Sequence, residues 1–194
     1  MLLIDKYPEH SILINFGAQC IWAWEVFRFA KKYCNNESII GWCGLDACLA
    51  TILKEYSLLQ IAKMHDPASS CGYENHSFHK VSSLYHADND PIIIDFLEAN
   101  KEFIGSIRDA RKKTIAHSDL ETVRTNAIWG AFPDGADDKY FSGLHAAVEY
   151  LYGKAGIGPF PEWPTFIDAD FEDFLVKIKK SANKSLQPTG CAEG

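Results

Sequence analysis

No stretch of these 194 residues stays apolar long enough to cross a membrane. The best candidate, in the first helical pattern, is interrupted by Asn15, Gln19 and Glu25. A membrane is therefore not expected among the partners. The opening Met-Leu-Leu-Ile-Asp-Lys lacks the charged start and long apolar centre of a secretory signal, so the expected compartment is the cytoplasm. There the six cysteines stay mostly reduced, and Cys20, Cys43 and Cys48 fall within apolar helical patterns as small core residues. No paired CxxC is present. Cys71, His76, His79 and His86 have the residue types of a zinc site, but they sit in a polar stretch without a closed ligand set, so no metal or cofactor is expected. Sustained strand-like alternation is missing as well, which disfavours a β architecture. The formal charge of −7 excludes a broadly basic, nucleic-acid-coating surface while leaving room for a local cationic pocket.

With 47% hydrophobic and 23% charged residues the composition is that of an ordinary globular chain, long enough to bury a core without staples. Helical spacing dominates. Ile12, Phe16, Cys20, Trp24 and Phe27 predict a first helix over residues 8–33, closed by Asn35-Asn36. Trp22 and Trp24 lie about 200° apart on that helix, so one of them is expected at a second interface. A second helix is expected from Glu37-Ser38 to Met64, with Leu45, Cys48, Leu49, Ile52, Leu53, Tyr56, Leu59 and Ile61 on its apolar side. It stops before Asp66-Pro67, because the residue preceding a proline is pushed out of helical geometry. A polar loop over 68–75 and a short helix over 77–85 follow. Asp88-Asn89-Asp90 before Pro91 marks a helix start, and Phe96, Leu97, Ile104, Ile107, Ala110 and Ile115 carry its rhythm onward as one central helix. Pro133-Asp134-Gly135 signals a turn, after which Asp137-Asp138 is expected to cap a helix running to about Tyr152. A breaker-rich link and a last helix from Asp168 complete the set. The expected fold is all-α: a single antiparallel bundle over residues 1–180 with a C-terminal helical extension, then a small, polar, disordered tail over 181–194.

One stretch carries chemistry. Between Asp109 and Asp119 there is no acidic residue, while Arg111, Lys112, Lys113 and His117 crowd the end of the central helix, with Arg108 one turn before. Arg111, Thr114 and His117 follow at spacings of three, so they drift across one broad face. A flexible guanidinium and an imidazole on such a face can share one phosphate: the first as a bidentate fork, the second as a group that gives or takes a proton near neutral pH. The same residues also suit a plain helix end, since cations complement the negative end of the macrodipole.

Two segments resemble a known family. Leu59-Gln60-Ile61-Ala62-Lys63-Met64-His65-Asp66-Pro67 is similar to a second helix entering an Asp-Pro loop. Arg111-Lys112-Lys113-Thr114-Ile115-Ala116-His117-Ser118-Asp119 is similar to an Arg…Ala-His-x-Asp helix end. Both features, with the helix order over roughly residues 8–155, resemble the HEPN superfamily, in particular its bacterial abortive-infection U branch. The resemblance implies a helical bundle that pairs as a homodimer and places two Arg…His helices across a cleft. It also implies metal-independent ribonuclease activity of a defence or toxin–antitoxin type. By position Arg111 and His117 match the catalytic pair, with Arg108, Lys112, Lys113 and Thr114 as RNA- or phosphate-binding neighbours. RNA or a nucleotide and a cognate antitoxin protein are the implied partners. The chain departs from the family at Lys112, where Asn, Asp or His is usual. That departure leaves open a non-catalytic module binding nucleotide, RNA or protein, or a purely structural helical dimer. The final Lys-Ser-Leu-Gln-Pro-Thr-Gly-Cys-Ala-Glu-Gly resembles the read-through tails of proteins encoded in mobile gene cassettes.

Overall fold

The computed structural model describes residues 2–36, 44–112, 133–165 and 169–177. The chain is an all-α bundle, and it divides into two compact units, Met1–Trp163 and Pro164–Gly194. In the first unit a short helix α1 (Leu3–Lys6) and a 3₁₀ turn (Pro8–His10) lead into the long α2 (Ser11–Cys34). Then come α3 (Gly44–Met64), a two-residue hairpin β1 (Ser69–Ser70) and β2 (Tyr73–Glu74), α4 (Phe78–Leu84), α5 (Pro91–Ala99), α6 (Lys101–Ala110) and α7 (Ala136–Ala155). The second unit contains a helix over 169–177, in which the rings of Phe171 and Phe174 lie 6.3 Å apart. Among the described residues no helix is long and apolar enough to cross a membrane. The expected start of the second helix at residues 37–43 and the tail over 181–194 lie outside the described residues.

α2 buries Leu13, Phe16, Gly17, Cys20, Ala23, Phe27, Ala30 and Tyr33, steps of three and four that keep one side of a helix turned inward. α3 runs back along it: Trp22 Nε1 donates to the Tyr56 hydroxyl at 3.3 Å, and the Cys34 thiol reaches the Ala50 carbonyl at 3.6 Å. The two tryptophans part as their angular spacing requires. Trp24 stacks on Trp163 at 5.5 Å and meets Phe141 edge-on, while Trp22 stays 48% exposed. α3 also packs on α6, and α7 closes the bundle against α2 and α5 with Tyr140, Phe141, Leu144, Ala147, Val148 and Leu151 all buried. Its C-terminus ends on Gly156 in the left-handed region at φ 68°, where a side chain would be strained.

Four local expectations are corrected. The central helix is not continuous. It breaks at Asn100, whose backbone leaves helical geometry while its side-chain amide donates to the Phe96 carbonyl at 2.8 Å. Gly143 of α7 comes in just there, so close that a Cβ on it would stand 2.9 Å from the Phe96 ring. The break thus lets α5 and α6 both keep their apolar sides (Ile93, Phe96, Phe103, Ile107, Ala110) inward. Cys48, Leu49, Ile52 and Tyr56 are exposed. Burial in α3 is concentrated at its end, where Ser57, Leu58, Gln60, Ile61, Ala62 and Met64 are buried. The polar loop over 68–75 closes as a hairpin pairing Ser69 with Glu74 and Ser70 with Tyr73. Its tip residues Cys71 and Gly72 both take positive φ, 50° and 82°, the geometry tight two-residue hairpins favour. Finally, α7 is capped by Gly135 at φ 78°, and Asp137 and Asp138 sit inside its first turn, where their charge favours the dipole.

Gly17 faces Tyr152 and Phe160 so closely that a methyl group there would come well inside van der Waals contact distance of the Tyr152 hydroxyl, whereas Gly105 in α6 has open space. Gly105→Ala should therefore stabilise the fold by about 0.5–1 kcal/mol through helix propensity. Gly17→Ala, the same exchange in another helix, should destabilise it by about 1–3 kcal/mol through overpacking. Urea unfolding of the two variants checks this, and equal signs would disprove the close approach.

Candidate functional site

The candidate site forms where the C-terminal ends of α3 and α6 come together. α3 ends at Met64, and the next residue, His65, continues its inward stripe: Leu58, Ile61 and His65 are spaced three and four apart and all are buried. The imidazole sits among aromatic rings, 6.1 Å from Phe78 of α4, 6.1 Å from Phe96 of α5 and 5.7 Å from Tyr140 of α7. Its Nε2 lies 2.7 Å from the Tyr140 hydroxyl, and its Nδ1 is buried without a hydrogen-bond partner among the described residues. Burial, with smaller contributions from His79 and Arg108, pushes the His65 pKa down to about 3. The ring is therefore neutral at physiological pH. Burial likewise holds the Tyr140 hydroxyl protonated, well above its ordinary range.

Immediately after this anchored ring comes Asp66, and its carboxylate receives Arg111. Arg111 Nη1 donates to Asp66 Oδ1 at 2.5 Å, with both side chains about a quarter to a third exposed. Forty-five positions apart in the chain, they meet because α3 and α6 end at the same level of the bundle. A partly exposed pair of this kind adds only about 0.2–1 kcal/mol to stability, so its interest lies in geometry. One guanidinium nitrogen is committed to Asp66, and among the described residues the other N–H groups remain for a further acceptor. Arg111 caps α6 in helical geometry, its N–H donating to the Ile107 carbonyl, and a π-type turn begins with it.

Arg108, exposed one turn earlier on α6, puts its charge close enough to influence both His65 and His79. His79, on α4, is half-buried. Its pKa is lowered first by burial and then by Arg108, with Asp88 pulling the other way. Lys112 is exposed. The structure thus brings Arg108, Arg111 and Lys112 to one corner together with His65 and Asp66, which spacing did not single out for a role, and His79, which the sequence offered only as a zinc-type residue. The helical step from Ile61 to His65 was the one signal in the chain that pointed to His65 as an inward residue. Lys113, Thr114 and His117 lie outside the described residues.

Of the zinc-type residues, His79 stands at this corner, while two others make contacts of their own. Cys71 tips the hairpin, His76 Nε2 lies 2.9 Å from the Ile12 carbonyl oxygen, and among the described residues no group of three or more His, Cys, Asp or Glu could hold a metal ion. A separate cavity of about 370 Å³ lies between α2, α3 and the start of α7. There Lys31 pairs with Asp137 at 2.5 Å beside Phe27, Cys34 and Lys54. It shares no residue with the Arg111 corner.

Fold and corner together define an all-α bundle with a cationic helix end tethered to Asp66, the residue that follows a buried, neutral histidine. Compared with known proteins, the chain matches no family model, no curated protein and no solved structure.

The low pKa of His65 has a direct consequence for stability. A free imidazole titrates near 6.5 and the folded one near 3, so between those values the unfolded chain takes up a proton that the folded chain refuses. The stabilisation is full above pH 6.5 and is lost progressively as the pH falls below it; at pH 5 this one group should cost about 2 kcal/mol. Urea unfolding at pH 7 and pH 5 should show that loss in the wild type. His65→Phe, which keeps a ring in the box, should shrink the difference by about that amount. An unchanged difference would place the titration on another group.

Proposed function

We propose that this chain is a HEPN-like, metal-independent ribonuclease of a defence or toxin–antitoxin type, acting as a homodimer with a composite Arg/His cleft. The observation that supports the reading is the Asp66–Arg111 ion pair, since it joins the two segments on which the family resemblance rests. RNA carries its own nucleophile. The 2′-oxygen attacks the neighbouring phosphorus, its proton passing to His117. The bond to the 5′-oxygen breaks, and that oxygen leaves with a proton from His117 of the partner subunit, giving a 2′,3′-cyclic phosphate and a 5′-hydroxyl. Arg111 holds the scissile phosphate and its added transition-state charge. Arg108, Lys112, Lys113 and Thr114 contact the backbone, which positions RNA without reading its sequence. A local cationic corner is the natural place for such contacts on a chain whose formal charge is −7.

Lys112 favours a second reading, a non-catalytic module that binds RNA, a nucleotide or a protein partner with the same corner. The two readings part on His117. Under the ribonuclease reading His117→Ala lowers cleavage about 10²–10⁴-fold while RNA affinity stays nearly intact. Arg111→Ala weakens both, and its binding deficit shrinks at high salt because the contact is to phosphate. Under the module reading the wild type binds but never cuts, and His117→Ala changes little. Cleavage that appears only in Lys112→Asn identifies a decayed nuclease.

Assembly is tested separately. The outer face of α2 and α3 leaves Ile12, Trp22, Leu49, Ile52 and Tyr56 each more than a third exposed, more apolar surface than the bundle's own core uses. Light scattering at micromolar concentration should give twice the chain mass of 21.8 kDa. A monomer alone would remove the composite cleft.

A further inference from the structure

Resting on the ribonuclease reading, we propose that Asp66 is a positioning residue for Arg111: it fixes one nitrogen of the guanidinium so that the free edge is presented to the scissile phosphate. Four observations lead there. The contact is single-pronged, Arg111 Nη1 to Asp66 Oδ1, so it orients the fork without occupying all of it. Asp66 is itself held, because the residue before it is locked into the core. His65 is 1% exposed, meets Tyr140 at 2.7 Å and is walled by Phe78 and Phe96. The His65 ring is neutral, so Asp66 is not compensated by its own neighbour, and its carboxylate is left for Arg111. Finally, α6 ends at Ala110, and Arg111, whose N–H still donates to the Ile107 carbonyl, caps its last turn, so its side chain projects from the end of the helix. Without a tether, a long arginine side chain on such a turn samples many rotamers, and a guanidinium displaced by about 1 Å from the developing charge can cost about a hundredfold in rate.

A carboxylate beside an RNA site has an opposite effect on binding. It repels the polyanion, so its removal tightens association while loosening the geometry. That combination separates positioning from a structural role, which would weaken binding, rate and melting temperature together.

The experiment compares wild type, Asp66→Asn and Asp66→Glu as full-length chains, with a mixed-sequence, fluorescently labelled single-stranded RNA as both ligand and substrate. Asp66→Asn should lower kcat about tenfold to a hundredfold and leave KM unchanged or about twofold to fivefold lower. Asp66→Glu, which restores the charge on a longer stem, should recover part of kcat. Equal kcat in wild type and Asp66→Asn overturns the role. So does a parallel loss of kcat, affinity and melting temperature in Asp66→Asn, or failure of Asp66→Glu to recover any rate. A wild type that does not cut removes the ribonuclease reading itself, and the role with it. A wild type that cuts while Asp66→Asn cuts equally well removes only the role.

Discussion

Much of this bundle depends on one uncharged imidazole. His65 closes the inward stripe of α3, and around it gather Phe78 from α4, Phe96 from α5 and Tyr140 from α7. Tyr140 in turn meets Phe103 of α6 at 4.7 Å, so five helices share a single aromatic cluster. The cluster tolerates a histidine only because the ring is neutral: a charged imidazole with a buried Nδ1 lacking a partner among the described residues would be far more costly than the neutral form. Even neutral, an unpartnered buried nitrogen costs about 1–3 kcal/mol, which the ring contacts and the Tyr140 hydrogen bond offset. A residue kept at such cost at the end of α3 places the next residue, Asp66, with little freedom.

From that anchoring follows the geometry of the corner. The end of α6 delivers Arg111 to Asp66, with Arg108 and Lys112 beside it. Arg108 then helps to keep both His65 and His79 uncharged, which spares the cluster further positive charge. On a chain with a formal charge of −7, a few cations gathered by helix ends can attract a phosphate backbone locally without making the whole surface sticky to nucleic acid.

Legibility was uneven, for physical reasons. Caps and breakers act within a few residues, so Asn35 at the end of α2, Ser77 before α4, Pro91 at the start of α5 and the stop before Pro67 could be read directly. So could the inward face of α7, since its six apolar residues keep helical spacing. The break at Asn100 could not. The apolar rhythm runs straight through it, and what bends the chain is a glycine on α7, forty-three positions away, approaching Phe96. Cys48 looked like core because its helix is apolar nearly all round; which turns become buried depends on what other helices reach them. At the candidate site, the cationic cluster was legible from composition alone, whereas its tether was not.

By itself the sequence determined that this chain is helical, where most of its helices begin and end, and that positive charge collects at the end of α6. Those properties follow from spacing, capping and local charge, which act over one or two turns. Only the tertiary structure decided that His65 is a neutral core residue, that α5 and α6 are separate helices, and that Asp66 is the partner of Arg111. Each of these depends on desolvation or on contact between residues tens of positions apart. Such effects have no local periodic signature: they arise only when helices from distant parts of the chain exclude water from the same space.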